Sequence, residues 1–317
     1  MKNTFVVLLL AGLIALPAGA AKHPGKPPVK KPAAAAPAPR TTAEIMAQSP
    51  DADWRGLDVE NTLLMDLQTG QGAGQVIIEL APRFAPRHAA NIRTLARGGF
   101  YDGLAIVRVQ DNFVTQWGDP NGDDAALARP LGKADAKLPA EFSIPLKGLP
   151  LSKLPDVDGW APVTGFVDGF PVAADPKTGQ AWLAHCYGMV GAGRSDAVDS
   201  STGAELYAVN GHAPRGLDLN ITVVGRVLKG MELLASLPRG GPNMGFYDKP
   251  EQRTGITRIR LMADVAAAER PALQVLRTDS STWGALLDAR RNRSGWFVHS
   301  PKHIEICSAA VPTRPAK

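Results

Sequence analysis

Short runs of alternating apolar residues, separated by turn signals, constrain this chain more than any other feature. Leu63, Met65 and Leu67 share one face of a first run, and Val76, Ile78 and Leu80 share one face of the next. A period of two marks half-buried strands, because successive side chains point to opposite faces. Between these runs stands Gly70-Gln71-Gly72-Ala73-Gly74. It opens no helix and lacks the Lys-Ser/Thr ending of a phosphate loop, so it reads as a hairpin turn. Further strands are expected at 104–109, 113–117, 182–186, 205–209, 221–227 and 256–261. Two helical patterns interrupt them. One runs from Pro86 to about Arg97, with Ile92 and Leu95 inward and Gly98-Gly99 ending it; the other starts near Gly230 and carries Met231, Leu234 and Leu237. Many short strands with two flanking helices predict a mainly β fold, a closed antiparallel barrel.

Thr41-Thr42-Ala43-Glu44 has capping-box spacing and predicts a short helix over 42–48, within a lead-in of residues 41–58. The barrel is assigned to 59–264. Inside it, residues 143–180 hold six prolines and five glycines, which reads as a long surface excursion. Gly165-Phe166-Val167-Asp168-Gly169 echoes Gly99-Phe100-Tyr101-Asp102-Gly103, but one short echo is not a repeat architecture. Residues 265–317 form a small α/β extension: a strand at Leu273-Gln274-Val275-Leu276, then a capped helix from Ser280 to Arg291 with Trp283, Leu286 and Leu287 inward. Two more short strands are expected at 296–298 and 304–306. So small a unit does not bury enough to fold alone, so it is expected to pack on the barrel.

The first residues carry an export address. Lys2 supplies a positive start, Phe5 to Leu16 an apolar run, and Pro17-Ala18-Gly19-Ala20 the small residues of a cleavage site after Ala20. The apolar run is too short to span a bilayer comfortably, so no membrane span is expected. Residues 21–40, mostly Ala, Pro and Lys, have little to bury and read as a mobile tether. The formal charge is +5, but Lys2, Lys22, Lys26, Lys30, Lys31 and Arg40 precede any acid; removing these six leaves −1 for the rest. The basic pI therefore belongs to the leader and tether, and no nucleic-acid partner is implied.

Cys186 and Cys307 are the only cysteines. In an oxidising compartment they can close one disulfide that fastens the extension to the barrel; the alternative is two independently buried thiols. His299, His303 and Cys307 recur every four residues, yet Pro301 prevents one helix from aligning all three, so no metal and no cofactor is expected. No Gly-x-Ser-x-Gly elbow is present, and no motif marks Cys186 as a nucleophile.

The stretch from Val76 to Pro120 is the most specific. Val76-Ile77-Ile78-Glu79-Leu80, Ala85-Pro86, Asn91 and Gly99-Phe100-Tyr101-Asp102-Gly103 come in order. Arg108-Val109-Gln110-Asp111-Asn112-Phe113-Val114-Thr115-Gln116-Trp117-Gly118-Asp119-Pro120 follows. Two later segments are Gly203-Ala204-Glu205-Leu206-Tyr207-Ala208 and Leu217-Asp218, the latter continued by Thr222-Val223-Val224-Gly225-Arg226-Val227 and Gly230-Met231. This ordered set, across roughly 60–262, resembles the cyclophilins, peptidyl-prolyl cis-trans isomerases, and suggests a divergent bacterial periplasmic member. The resemblance places Arg108 at the catalytic arginine, Phe113 in the proline pocket and Gln116 on the substrate backbone. It matches Gly193-Arg194 to a small residue followed by Asn or Arg, puts Glu205 and Tyr207 where Gln and Phe are usual, and sets Leu217 beside them. Ile106-Val107 replaces a typical Phe-His, and Trp117 replaces the first glycine of a Gly-Gly-Asp segment. Gly216 replaces a tryptophan linked to cyclosporin sensitivity, and Ile221 a pocket histidine, so weak cyclosporin binding is implied.

The implied reaction needs no nucleophile, base or metal. An X-Pro bond resists rotation because amide resonance sets a barrier of ~18–20 kcal/mol. A catalyst must favour the twisted amide, whose nitrogen becomes pyramidal and more basic, and a guanidinium that stays charged can hydrogen-bond it. The partners implied are proline-containing segments of exported or unfolded proteins, met by a monomer in the periplasm. The competing reading is a proline-binding chaperone or scaffold with little turnover, motivated by the altered rim.

Overall fold

A computed structural model describes residues 40–316 except 71 and 123. The expected signal peptide, cleavage point and tether up to residue 39 lie outside the described residues. In chain order the strands are β1 (Trp54–Gly56), β2 (Thr62–Thr69), β3 (Gly72–Leu80), β4 (Ala105–Val109) and β5 (Val114–Gly118). Then come β6 (Ile144–Pro145), β7 (Ser152–Lys153), β8 (Val163–Val167), β9 (Phe170–Asp175) and β10 (Gln180–Leu183). The remainder are β11 (Met189–Ala192), β12 (Leu206–Val209), β13 (Val223–Lys229), β14 (Thr254–Leu261), β15 (Leu273–Leu276) and β16 (Thr313–Pro315). The α-helices are α1 (Thr42–Ala47), α2 (Pro86–Arg97), α3 (Met231–Ala235) and α4 (Ser281–Arg291).

The alternation read in β2 and β3 closes a barrel in the order β11-β12-β5-β4-β14-β2-β3-β13, every pair antiparallel. Leu63, Met65 and Leu67 face Val76, Ile78 and Leu80 inside it, joined by Trp117. Ile92 and Leu95 of α2 and Leu234 of α3 complete this core. Pro86 opens α2 at a position where its missing N–H has no helical partner to lose. The capping box at Thr41 is formed, with Glu44 N–H donating to the Thr41 hydroxyl and Thr41 N–H to Glu44 Oε2 at 2.7 Å.

Three expectations are corrected. Residues 143–180 are not a surface excursion: β6-β10-β9-β8-β7 form a second antiparallel sheet. Asp168 and Gly169, with φ of 52° and 87°, make the two-residue turn between β8 and β9. Phe166, Val172, Ala173 and Ala174 are buried in a second core against the outer face of the barrel, with Met189, Val209 and Val223. The run expected as a barrel strand at 182–186 belongs partly to β10 in this sheet; the barrel strand nearby is β11. In the extension, 296–298 is not a strand, and Trp296 is 88% and Val298 105% exposed. At 304–306 the chain leads into a 3-10 turn, and the two strands that join β15 in the sheet β1-β15-β16 are supplied by Thr313–Pro315 and by the N-terminal lead-in.

The extension packs heavily on the inserted sheet, where Trp283 of α4 meets Phe166 edge to face with centroids 5.0 Å apart. Such a pair adds about 0.5–1.5 kcal/mol beyond its burial. Cys186 and Cys307 are joined by a disulfide with Cα atoms 4.8 Å apart. A buried ion pair ties the sheet to the barrel as well. Arg226 of β13 donates to Glu79 of β3 at 2.7 and 3.0 Å and to the Gly169 carbonyl, and its guanidinium lies 4.6 Å from the Phe170 ring centre.

Candidate active site

Barrel register assembles a row of residues before any side chain is considered. Arg108 of β4 pairs with Gln116 of β5, Gln116 with Tyr207 of β12, and Tyr207 with Gly191 of β11. Paired residues project to the same face of a sheet, so the row lies at one level across four strands. A Cβ on Gly191 would fall 2.2 Å from the Tyr207 hydroxyl oxygen. Glycine there is what lets the ring lie across β11.

At one end stands Arg108, half-buried. Its Nη1 donates to Gln116 Oε1 at 3.0 Å, its Nε to the Met244 carbonyl at 2.6 Å, and its Nη2 to Gln110 Oε1. Gln116 then donates from Nε2 to Glu205 Oε1 at 2.5 Å. The guanidinium carbon lies 5.5 Å from the Phe113 ring centre and 5.1 Å from that of Phe246. Burial lowers the guanidinium pKa below its ordinary value and the Glu205 charge opposes this; an arginine nonetheless stays a cation at neutral pH. Arg108, Gln116, Gly193, Arg194 and Glu205 together line a cleft of about 680 Å³.

Tyr207, Phe113 and Leu217 are not in the lining of that cleft. They belong to the second core, Tyr207 buried and the other two partly so. The Tyr207 hydroxyl lies 2.9 Å from His185 Nε2, and His185 Nδ1 lies 2.9 Å from Asp218 Oδ1. Because a carboxylate only accepts, the Nδ1 proton points at Asp218. Arg215 donates from Nε to Asp218 Oδ2 at 2.8 Å and from Nη1 and Nη2 to Asp158 at 3.1 Å each. Arg215 and both carboxylates are under 10% exposed in their side chains. Burial acts most strongly on Asp218, raising its pKa, but the His185 hydrogen bond and the Arg215 charge outweigh it and leave the carboxyl below its ordinary value. On Arg215 burial likewise works downward first, and the bonds to Asp158 and Asp218 turn the shift upward. Burial, helped by the Asp218 charge, pushes the Tyr207 phenol up.

Sequence reasoning missed Phe246, Met244 and His185. The first two had a readable signal in Gly240-Gly241-Pro242-Asn243-Met244-Gly245, a glycine-rich turn. Gly245 has φ of 79° and sits so close to Gln110 that a Cβ would lie 2.6 Å from the Gln110 Cα. The turn thus lies against β4, and Phe246 forms a β-bridge to Arg108. His185 carried no such signal. Among the described residues no cluster of His, Cys, Asp and Glu could hold a metal ion, and no helix is long and apolar enough to cross a membrane.

A closed eight-stranded antiparallel barrel with two flanking helices defines a fold of cyclophilin type. Residues 64–261 match the family described as Cyclophilin type peptidyl-prolyl cis-trans isomerase/CLD, and the chain belongs to that family. It is 41% identical over 92 residues to a probable peptidyl-prolyl cis-trans isomerase of Brucella suis, covering 27% of this chain and 45% of that protein. It is 45% identical over 58 residues to peptidyl-prolyl cis-trans isomerase ppi1 of Schizosaccharomyces pombe, covering 18% and 36% of the two chains. The matched stretch thus spans less than half of either relative. The crystal structure of cyclophilin AquaCyp293 from Hirschia baltica superposes with a TM-score of 0.65 at 23% identity, covering 88% of this chain and 99% of the other. That likeness is one of fold.

Proposed function

We propose that this chain is a peptidyl-prolyl cis-trans isomerase that accelerates X-Pro rotation in exported proteins, with Arg108 as its catalytic residue. The observation that carries the reading is the setting of the guanidinium, fixed between two aromatic rings and hydrogen-bonded to Gln116. Arginine has five N–H donors, and three bonds are made within the chain, so two N–H groups are left for a substrate. A donor fixed beforehand costs no reorganisation when the amide twists and its nitrogen becomes basic. Phe113 and Leu217, partly buried against the core that holds Tyr207, supply the apolar surface for a proline ring. Gln116, Glu205 and the Gly193-Arg194 segment lie where they can pin flanking backbone. Each ~1.4 kcal/mol gained only by the twisted amide is worth tenfold in rate.

The second reading, a proline-peptide chaperone or scaffold with little turnover, draws on the same cage, since Met244 and Gln110 already hold two edges of the guanidinium. NMR exchange spectroscopy on an X-Pro peptide separates the two. Catalysed cis–trans exchange that is lost in Arg108→Ala supports the isomerase; peptide binding without faster exchange supports the scaffold. The sequence of the leader and tether supports a periplasmic location, and mass spectrometry of the exported form is expected to find Ala21 first. Gly216, exposed and without the family tryptophan, supports weak cyclosporin binding.

A further inference from the structure

The cleft beside Arg108 is lined by four arginines, Arg108, Arg129, Arg194 and Arg253, and by two carboxylates, Asp119 and Glu205. The arginines are held chiefly by neutral groups. Arg129 Nη1 donates to the carbonyls of Phe100 and Asp102 at 2.8 and 2.7 Å. Arg194 donates to the carbonyls of Asn220 and Ser195 at 2.9 and 2.8 Å. A carbonyl fixes a guanidinium in place without cancelling its charge. Arg253 is less committed still: its Nε is buried with no hydrogen-bond partner, and its guanidinium enters no ion pair among the described residues. The two carboxylates reduce this excess and leave two positive charges net over the lining. Glu205 accepts from Gln116 at 2.5 Å, and Asp119 accepts the backbone N–H groups of Asn121 and Arg129 at 3.0 and 2.6 Å.

An excess of one sign of charge in a cleft raises the local concentration of the opposite one, and guanidinium groups bind carboxylates in charge-assisted, often bidentate, hydrogen bonds. We infer that this cleft selects prolyl peptides carrying an acidic side chain near the proline, with Arg253 as the residue that receives the carboxylate. The inference rests on the isomerase reading of the neighbouring Arg108 and narrows its substrate class from any X-Pro segment to acidic ones. Screening by salt falls on such a half-open site, so the preference weakens as ionic strength rises.

The test is a peptide scan on the full chain. Peptides with one proline carry a single Glu, Gln or Lys at each of three positions before it and two after it. Exchange spectroscopy measures kcat/KM for wild type, Arg253→Gln and the charge-preserving Arg253→Lys. At one or more positions Glu should exceed Gln by about fivefold, a modest change for one tenfold step per 1.4 kcal/mol, and Lys should fall below Gln. The Glu/Gln ratio should drop to within about twofold in Arg253→Gln, return in Arg253→Lys, and shrink on going from 50 to 500 mM salt (about 14 to 4 Å of screening length). Turnover of all peptides with no advantage for Glu, or an advantage that survives Arg253→Gln, overturns the inference and leaves the isomerase reading standing. If no peptide turns over, the isomerase reading fails. Chemical-shift titration with the same peptides then decides the cleft: tighter Glu binding lost in Arg253→Gln supports it, and equal binding overturns it.

Discussion

Two arginines flank the row Arg108–Gln116–Tyr207–Gly191 in different settings: Arg108 within it, and Arg215, linked to Tyr207 through Asp218 and His185. At the Arg108 end the guanidinium is half-buried, bonded to amides and a carbonyl, flanked by aromatic rings, and open to a cleft. At the Tyr207 end another arginine, Arg215, is 4% exposed in its side chain and closed between Asp158 and Asp218. Neutral partners leave a cation able to act on a visitor. Buried carboxylates consume it. The second arginine therefore serves as a rivet, joining the barrel loop at 213–218 to the inserted sheet through Asp158, with Glu305 of the extension 3.6 Å away. An open cation and a closed one thus stand on either side of the same row.

Removing the rivet is expected to have the largest effect. Arg215→Ala leaves two buried carboxylates without their partner, which costs about 3–5 kcal/mol. Denaturant titration should show that loss, and a cost near that of a surface change would mean the network is ornamental. Next in size is Cys186→Ala with Cys307→Ala. Opening a loop with a sequence separation of 121 is expected to cost about 2–5 kcal/mol, read as a lower unfolding midpoint. Tyr207→Phe is smaller: it strips the hydroxyl from His185 Nε2 and leaves a buried group unsatisfied, for about 1–2 kcal/mol. The smallest effect is a pH dependence. The Asp218 carboxyl lies below its ordinary value of 3.8 in the fold, so its contribution is present above that value and is lost as pH falls through the folded pKa. The stability gap between wild type and Asp218→Asn should be full above about pH 5 and narrow as pH falls below 3.8; a gap that widens in acid would contradict the assignment.

The same division governs what could be read from the chain. Arg108, Phe113, Gln116 and Trp117 lie within ten positions on one hairpin, so local spacing carried them, and barrel strands with clean alternation were equally legible. The inserted sheet was not, because six prolines and five glycines in 143–180 masked strands as short as two residues. Asp168-Gly169 was its one strong hairpin signal and stood unread. β11, Met189-Val190-Gly191-Ala192, has too little bulk to announce itself as a strand. The rivet depends on residues 57 positions apart, Asp158 and Arg215, and Phe246 reaches Arg108 across a gap of similar kind. Such contacts are set by barrel closure and sheet docking, which no local pattern encodes.

If Arg108 acts on substrate while Arg215 holds the fold, the two substitutions must separate activity from stability. Catalysed X-Pro exchange and thermal midpoint are recorded side by side for wild type, Arg108→Ala and Arg215→Ala. Arg108→Ala should lose exchange by on the order of a hundredfold or more while its midpoint shifts by less than about 5 °C. Arg215→Ala should lower the midpoint by about 10 °C and, at temperatures where it remains folded, keep exchange within about threefold of wild type. Full exchange in Arg108→Ala, or loss of exchange in a folded Arg215→Ala equal to that in Arg108→Ala, would contradict the account.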